Sequence, residues 1–214
     1  MWAKAGMGVD SPEVRAVAHA RELAHASGGT SALVVVLMGL PGAGKSTVAL
    51  ALESELGLRR VCRDEIRRAM FPRCDYSFVE KRAAFRTVLL AVEINCLLGE
   101  SSVIDGMTFS RRDDFDQVVA RAEVHGFDVL PLLIDCPPAL ARERIARDLL
   151  SRKHPAEDRE PELVDIVARR FDTPPAAAIR IDAAHSMDEV CRIAVAEISA
   201  RLRNAPARAD QIRT

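Results

Sequence analysis

Leu33-Val34-Val35-Val36-Leu37-Met38 runs directly into Gly39-Leu40-Pro41-Gly42-Ala43-Gly44-Lys45-Ser46-Thr47. Six consecutive apolar residues, half of them valine, read as a strand covered on both faces. The residues that follow fit the G-x-x-x-x-G-K-[ST] phosphate loop. Its glycines let the backbone curl until successive N–H groups face one anion. Lys45 has the reach for the β- and γ-phosphates, and Ser46 carries the hydroxyl that ligates Mg²⁺ in such loops. Val48-Ala49-Leu50-Ala51-Leu52 continues as a helix whose positive end adds to the anion site. Gly39, Pro41, Gly42, Ala43, Gly44, Lys45, Ser46 and Thr47 are therefore the expected nucleotide-binding residues.

Outward from this loop, strands and helices alternate. Helices are expected at about 45–56, 64–70, 76–98, 111–125, 138–150, 162–171 and 186–203. Strands are expected at 59–63, 102–104, 129–134 and 178–181. Short apolar strands separated by helices mean an α/β fold with a parallel sheet covered on both faces. Ligands of such sheets bind at the carboxyl ends of the strands. Residues 1–31 read as an N-terminal extension with a short helix from Asp10-Ser11-Pro12-Glu13 to Gly28-Gly29. The main domain spans 32–203, and 204–214 reads as a tail.

The bulk properties narrow the function. The chain has 214 residues, 49% hydrophobic, with a net charge of −1. That charge disfavours tight non-specific nucleic-acid binding. Five cysteines, odd in number and without C-x-x-C spacing, argue against a disulfide framework or zinc site. They suit reduced thiols in the cytoplasm. No signal peptide and no apolar run of membrane-spanning length is read, so no membrane partner is expected.

Three further stretches carry chemistry. Arg63-Asp64-Glu65-Ile66-Arg67 closes the second strand. Asp64 there can orient and deprotonate a hydroxyl, or cap the following helix. Arg67, one turn on, can grip an acidic part of a substrate. Val103-Ile104-Asp105-Gly106 closes the third strand. Asp105 has the Walker B position for Mg²⁺, with acceptor contact or a helix cap as alternatives. Arg111-Arg112 then oppose a helix dipole, which suggests an anionic partner. Arg144 and Arg147 share one helix face ahead of a charged, proline-containing stretch. That composition suits a lid, at about 148–163, that closes over the phosphates. Arg144, Arg147, Arg152 and Arg159 are its candidate phosphate-stabilising arginines, against a plain solvated face with pairs such as Glu143–Arg147.

In this order the motifs resemble those of the small P-loop kinases. These include ATP-binding kinases of that type, the kinase domain of phage-type polynucleotide kinase, chloramphenicol phosphotransferase and the zeta-toxin kinases. The resemblance covers about residues 33–203. It implies a three-layer P-loop fold of the nucleoside-monophosphate-kinase type, with five parallel strands in the order 2-3-1-4-5 and a helical lid. It implies Asp64 as general base, Arg67 and Arg112 positioning the acceptor, and Arg144 or Arg147 on the lid side of the ATP site. Asp105-Gly106 is similar to adenylate kinase, but Met107-Thr108 stands where Pro-Arg should follow. That departure argues against a nucleoside monophosphate acceptor.

The expected activity is transfer of a γ-phosphoryl group from ATP, or GTP, with Mg²⁺, to a hydroxyl of a small molecule. Antibiotics and nucleosides are among the acceptors considered. The first alternative is a kinase of polynucleotide 5′-hydroxyl ends, with Arg59, Arg60, Arg63, Arg67, Arg68 and Arg73 forming a basic groove. The second is a nucleotide-dependent switch or regulatory ATPase. The chain lacks an N-K-x-D guanine motif, so a Ras-like GTPase is not expected.

Overall fold

Each residue of β1, Leu33–Met38, is buried, because the strand lies in the middle of the sheet with helices on both faces. The computed structural model describes residues 33–151 and 160–204. The expected extension over 1–31, the central part of the expected lid with Arg152 and Arg159, and nearly all of the tail lie outside them. In chain order the elements are β1, α1 (Lys45–Leu56), β2 (Arg59–Cys62), α2 (Arg63–Met70), α3 (Phe78–Leu97), β3 (Ser102–Asp105), α4 (Arg112–Glu123), β4 (Asp128–Asp135), α5 (Pro138–Ser151), α6 (Glu162–Arg169), β5 (Ile179–Asp182) and α7 (Met187–Asn204). The sheet is parallel throughout, with order β2-β3-β1-β4-β5. This is the order the resemblance implies.

The side-chain period of a strand is two, so β1 feeds two cores. Leu33, Val35 and Leu37 face one layer, with Val48 and Leu52 of α1, Ile145 of α5, Val167 of α6 and Ile198 of α7. Val34, Val36 and Met38 face the other, with Phe85 and Val88 of α3 and Phe115 and Val118 of α4. Burying each such aliphatic side chain contributes about 1.5–3 kcal/mol. The central strand is thereby clamped from both sides, and the loop at its carboxyl end has a rigid base.

The strand ends are aligned. Cys62 pairs with Asp105, and Asp135 with Asp182, in the parallel registers. The loops after β1 and β3 are tied by a hydrogen bond of 3.1 Å from the Gly39 N–H to the Thr108 carbonyl. The expected lid differs at its edges: residues 148–151 continue α5, and α6 begins at Glu162. All five cysteines are free. Among the described residues, no helix is long and apolar enough to cross a membrane.

Two glycines separate conformational need from close packing. Gly42 has φ +79°, and a Cβ there would overlap the Ala141 carbonyl oxygen of α5. Gly57, after α1, has φ +68°, but open space surrounds it. Gly42→Ala is expected to cost about 3 kcal/mol, from backbone strain plus overpacking. Gly57→Ala should cost about 1 kcal/mol, from the left-handed backbone alone. Urea unfolding of the two variants checks the difference, and equal costs would contradict the packing of α5 on the loop.

Candidate active site

The phosphate loop leaves β1 and re-enters α1 at Lys45. Lys45 is buried, and its Nζ donates to the carbonyls of Gly39 at 2.9 Å and Leu40 at 2.7 Å. Its charge is thus held on the inner side of the loop. Gly39 and Ala43 are buried within the loop, whereas Pro41, Gly42, Gly44, Lys45, Ser46 and Thr47 line a cavity of about 390 Å³.

Ser46 and Asp105 meet on the floor of that cavity. The Ser46 hydroxyl donates to Asp105 Oδ1 at 3.0 Å, and the Gly106 N–H donates to the same oxygen at 2.6 Å. Asp105 is buried, with 1% exposure. A carboxylate so placed needs a counter-charge. Arg60 of β2 supplies it, with Nη1 3.2 Å from Asp105 Oδ2. Arg60 also pairs with Glu53 of α1 at 3.3 Å and with Glu65 of α2. Burial alone would lower the Arg60 pKa, but the hydrogen bond it donates to Glu65 and the surrounding anionic charge raise it overall. The neighbouring Cys62 thiol is pushed up by burial first, then by the charge of Asp105. Asp105 lies well ahead of α4, whose N-cap is Arg111, so the helix-cap alternative is removed.

Asp64 sits in the first turn of α2 and lines the same cavity. The N-cap of that helix is Cys62, so Asp64 is not the cap. Gly106 fixes its distance from Asp105. A Cβ at 106 would lie 3.0 Å from the Asp64 nitrogen, 3.1 Å from the Arg63 nitrogen and 3.3 Å from Asp64 Cγ. Two guanidinium groups hold the carboxylate: Arg67 Nη2 at 3.2 Å and Arg63 Nη2 at 3.4 Å from Oδ1. Arg67 is itself buried, 3% exposed, and stacks on Tyr76 with 4.3 Å between guanidinium carbon and ring centroid. Tyr76 has φ +56°. Its loop is held by Glu80 Oε2, which accepts from the Asp75 and Tyr76 N–H groups at 3.1 and 3.0 Å.

Arg144 and Arg147 part company. The Arg144 guanidinium bridges the Ala43 carbonyl of the phosphate loop, at 3.2 Å, and the Ala183 carbonyl after β5, at 2.9 Å. Arg147 reaches the cavity rim but is exposed and pairs with Glu143 at 2.7 Å. Arg112 is not brought to the cavity. It is exposed, pairs with Asp116 at 2.8 Å, and its N–H donates to Asp172 Oδ2 at 2.8 Å. Asp116 one helical turn on gives Arg112 the local partner that its position at a helix start had left unexplained. Arg67 likewise lies beneath Asp64 rather than on the cavity wall. Conversely, Arg63, Lys81 and Arg170 line the cavity. Arg63 was expected only as part of the basic groove of the polynucleotide alternative. Lys81 and Arg170 carry no local signal.

Among the described residues, no group of three or more His, Cys, Asp and Glu side chains forms a metal-binding cluster. Ser46 and Asp105 instead offer two hard oxygen donors beside the phosphate loop. That suits Mg²⁺, which takes few protein ligands and completes its octahedron with phosphates and water.

Fold and site together define a kinase-like P-loop domain. The chain belongs to the AAA domain family AAA_33, whose model matches residues 34–174. Among solved structures it is similar to a sugar kinase from Janibacter sp. HTCC2649, at 17% identity over 82% of this chain and 99% of that one, with a TM-score of 0.61. It is similar to a gluconokinase from Sinorhizobium meliloti 1021, at 17% identity over 81% and 94%, with a TM-score of 0.58. It is also similar to the APS kinase of Mycobacterium tuberculosis in complex with AMPPNP and APS, at 16% identity over 79% and 98%, with a TM-score of 0.59. These are likenesses of fold. No curated protein sequence matches the chain at a significant level.

Arg60→Met keeps the aliphatic stem but leaves the buried Asp105 carboxylate without its counter-charge. It is expected to lower stability by about 1–3 kcal/mol. Arg59→Met removes only an exposed pair with Glu100 and should leave the denaturation midpoint near wild type. Equal midpoints for the two variants would show that Asp105 does not depend on Arg60.

Proposed function

We propose that the chain is an ATP- and Mg²⁺-dependent phosphotransferase that moves the γ-phosphoryl group to a hydroxyl of a small molecule. One observation carries the reading: Lys45, Ser46 and Asp105 share a single cavity with Asp64. A donor site and a hydroxyl-orienting carboxylate then face the same space.

In this mechanism the loop amides and Lys45 hold the triphosphate tail. Lys45 trades its carbonyl partners for phosphate oxygens, a stronger charge-assisted contact. Ser46 and Asp105 would hold Mg²⁺, which neutralises charge on the β- and γ-phosphates when bound. Arg144, fixed between two carbonyls at the loop, is better placed than Arg147 to meet charge on the phosphate chain. Asp64 accepts a hydrogen bond from the acceptor hydroxyl, sets its line of attack and takes its proton as the new O–P bond forms and the bond from the γ-phosphorus to the bridging oxygen breaks, releasing ADP. A loose phosphoryl-transfer transition state needs little beyond such positioning and charge.

The gluconokinase and APS kinase named above support a small acceptor by the substrates in their names. The polynucleotide alternative loses support from the arginine pairings. Arg59 is paired with Glu100, Arg60 with three carboxylates, and Arg67 with Asp64. Side chains neutralised in this way make a poor phosphate-backbone groove.

Release of label from γ-labelled ATP onto a panel of small hydroxyl compounds tests the reading. Acceptor-dependent transfer is expected from wild type, reduced about 10²–10³-fold in Lys45→Ala. Asp64→Asn should keep nucleotide affinity yet lose about 10²–10⁴-fold in transfer. Wild-type transfer by Asp64→Asn would reduce Asp64 to a structural residue, and acceptor-independent ATP loss alone would favour the switch ATPase.

A further inference from the structure

The buried carboxylate that ends β3 already has a cation on it, and that cation is a side chain. On Oδ1, Asp105 accepts from the Ser46 hydroxyl at 3.0 Å and the Gly106 N–H at 2.6 Å. On Oδ2 it meets Arg60 Nη1 at 3.2 Å. Strand alternation delivers this guanidinium: Val61 packs in the layer of α3 and α4, so Arg60 turns to the side of α1, the helix that carries Ser46. The Asp105 side chain is 2% exposed and that of Arg60 15%, so water screens their attraction weakly.

Arg60 is not bound to Asp105 alone. Its Nε lies 3.3 Å from Glu53 Oε2 on α1, and its Nη2 pairs with Glu65 on α2. Those two side chains are exposed, at 45% and 55%. One guanidinium thus joins a buried acceptor, beside the hydroxyl of Ser46, to two acceptors at the surface. If Arg60 gives up Asp105 it keeps two partners for its remaining donors, so the contact to Asp105 is the one it can lose.

We infer that Arg60 is a resident counter-ion: it keeps free divalent cations off the Ser46–Asp105 pair and yields to a metal that arrives with a triphosphate. This rests on the phosphotransferase reading, which takes Ser46 and Asp105 as the metal's donors. A cation beside Ser46 shares the Asp105 carboxylate with the guanidinium, and the two positive charges repel where screening is poor. Without nucleotide, two protein oxygens offer little to offset that repulsion. With nucleotide, phosphate oxygens add both ligands and negative charge, while Glu53 and Glu65 keep Arg60 satisfied as its hold on Asp105 loosens. Arg60 therefore determines specificity at this position by making metal loading conditional on nucleotide.

Mn²⁺ is the probe, with the free ion measured by electron paramagnetic resonance on the full chain without nucleotide. Wild type is expected to bind it weakly, and Arg60→Met about tenfold or more tightly. Asp105→Asn on the Arg60→Met background should abolish the gain. Urea unfolding supplies a second readout. Mn²⁺ should raise the midpoint of Arg60→Met toward wild type and leave wild type itself unchanged, because only the variant's folded state takes the ion. An arginine with a structural role alone would show lost stability without recovery. Should Arg60→Met fail to fold, the surface double variant Glu53→Gln/Glu65→Gln reads the same exchange. Arg60 then has Asp105 as its remaining ion pair, and the AMPPNP complex should hold Mn²⁺ about fivefold or more weakly. Equal Mn²⁺ affinity in wild type and Arg60→Met, a gain that survives Asp105→Asn, or unchanged affinity in the double variant overturns the inference and leaves the phosphotransferase reading standing. If Mn²⁺ and AMPPNP together fail to bind wild type, that reading falls and takes this inference with it.

Discussion

The site depends on a missing side chain. Gly106 lets the turn after β3 lie against the first turn of α2, where a Cβ would stand 3.0–3.3 Å from Asp64 and Arg63 atoms. Two carboxylates from different strand ends are thereby brought to one cavity, Asp105 on the floor beside Ser46 and Asp64 on the wall. Neither position has meaning alone. Asp105 without Asp64 is a phosphate-loop companion found in many nucleotide-binding proteins. Asp64 without Asp105 is an acidic residue in a helix turn.

Electrostatics then divides the labour among the arginines. Arg60 and Arg67 are internal partners: Arg67 is buried against Asp64, and the partly buried Arg60 joins Asp105 to Glu53 and Glu65. Arg144 is held by carbonyl dipoles rather than by a carboxylate, so its full positive charge remains to act on the loop. Because buried charges are tolerated only when paired, the committed arginines set the geometry.

Much of the fold was legible because its signals are local. The valine run of β1, the G-x-x-x-x-G-K-S loop and the Asp closing β3 are read within a few residues. Strand order came from resemblance, since no local pattern says which strand lies beside β1. Cavity-lining residues were legible where a motif names them, as with Lys45, Ser46, Asp64 and Asp105. Where only spacing spoke, the placement in the structure differs from the expectation. Arg67 shares a helix face with Asp64 as expected, but Tyr76, at a positive φ that no pattern announces, closes over it. Arg112 has an intrahelical partner in Asp116, which satisfies it away from the cavity. Lys81 and Arg170 reach the cavity only through the packing of α3 and α6, which sequence does not disclose.

The central claim is spatial: the nucleotide's terminal phosphates and Asp64 occupy one cavity. Substituting Mn²⁺ for Mg²⁺ with AMPPNP, and recording paramagnetic broadening of backbone amides by NMR, measures this directly. The account expects the amides of residues 45–47, Asp64 and Gly106 to broaden together on addition of Mn²⁺ and AMPPNP. Broadening at the loop that leaves Asp64 and Gly106 sharp would contradict it.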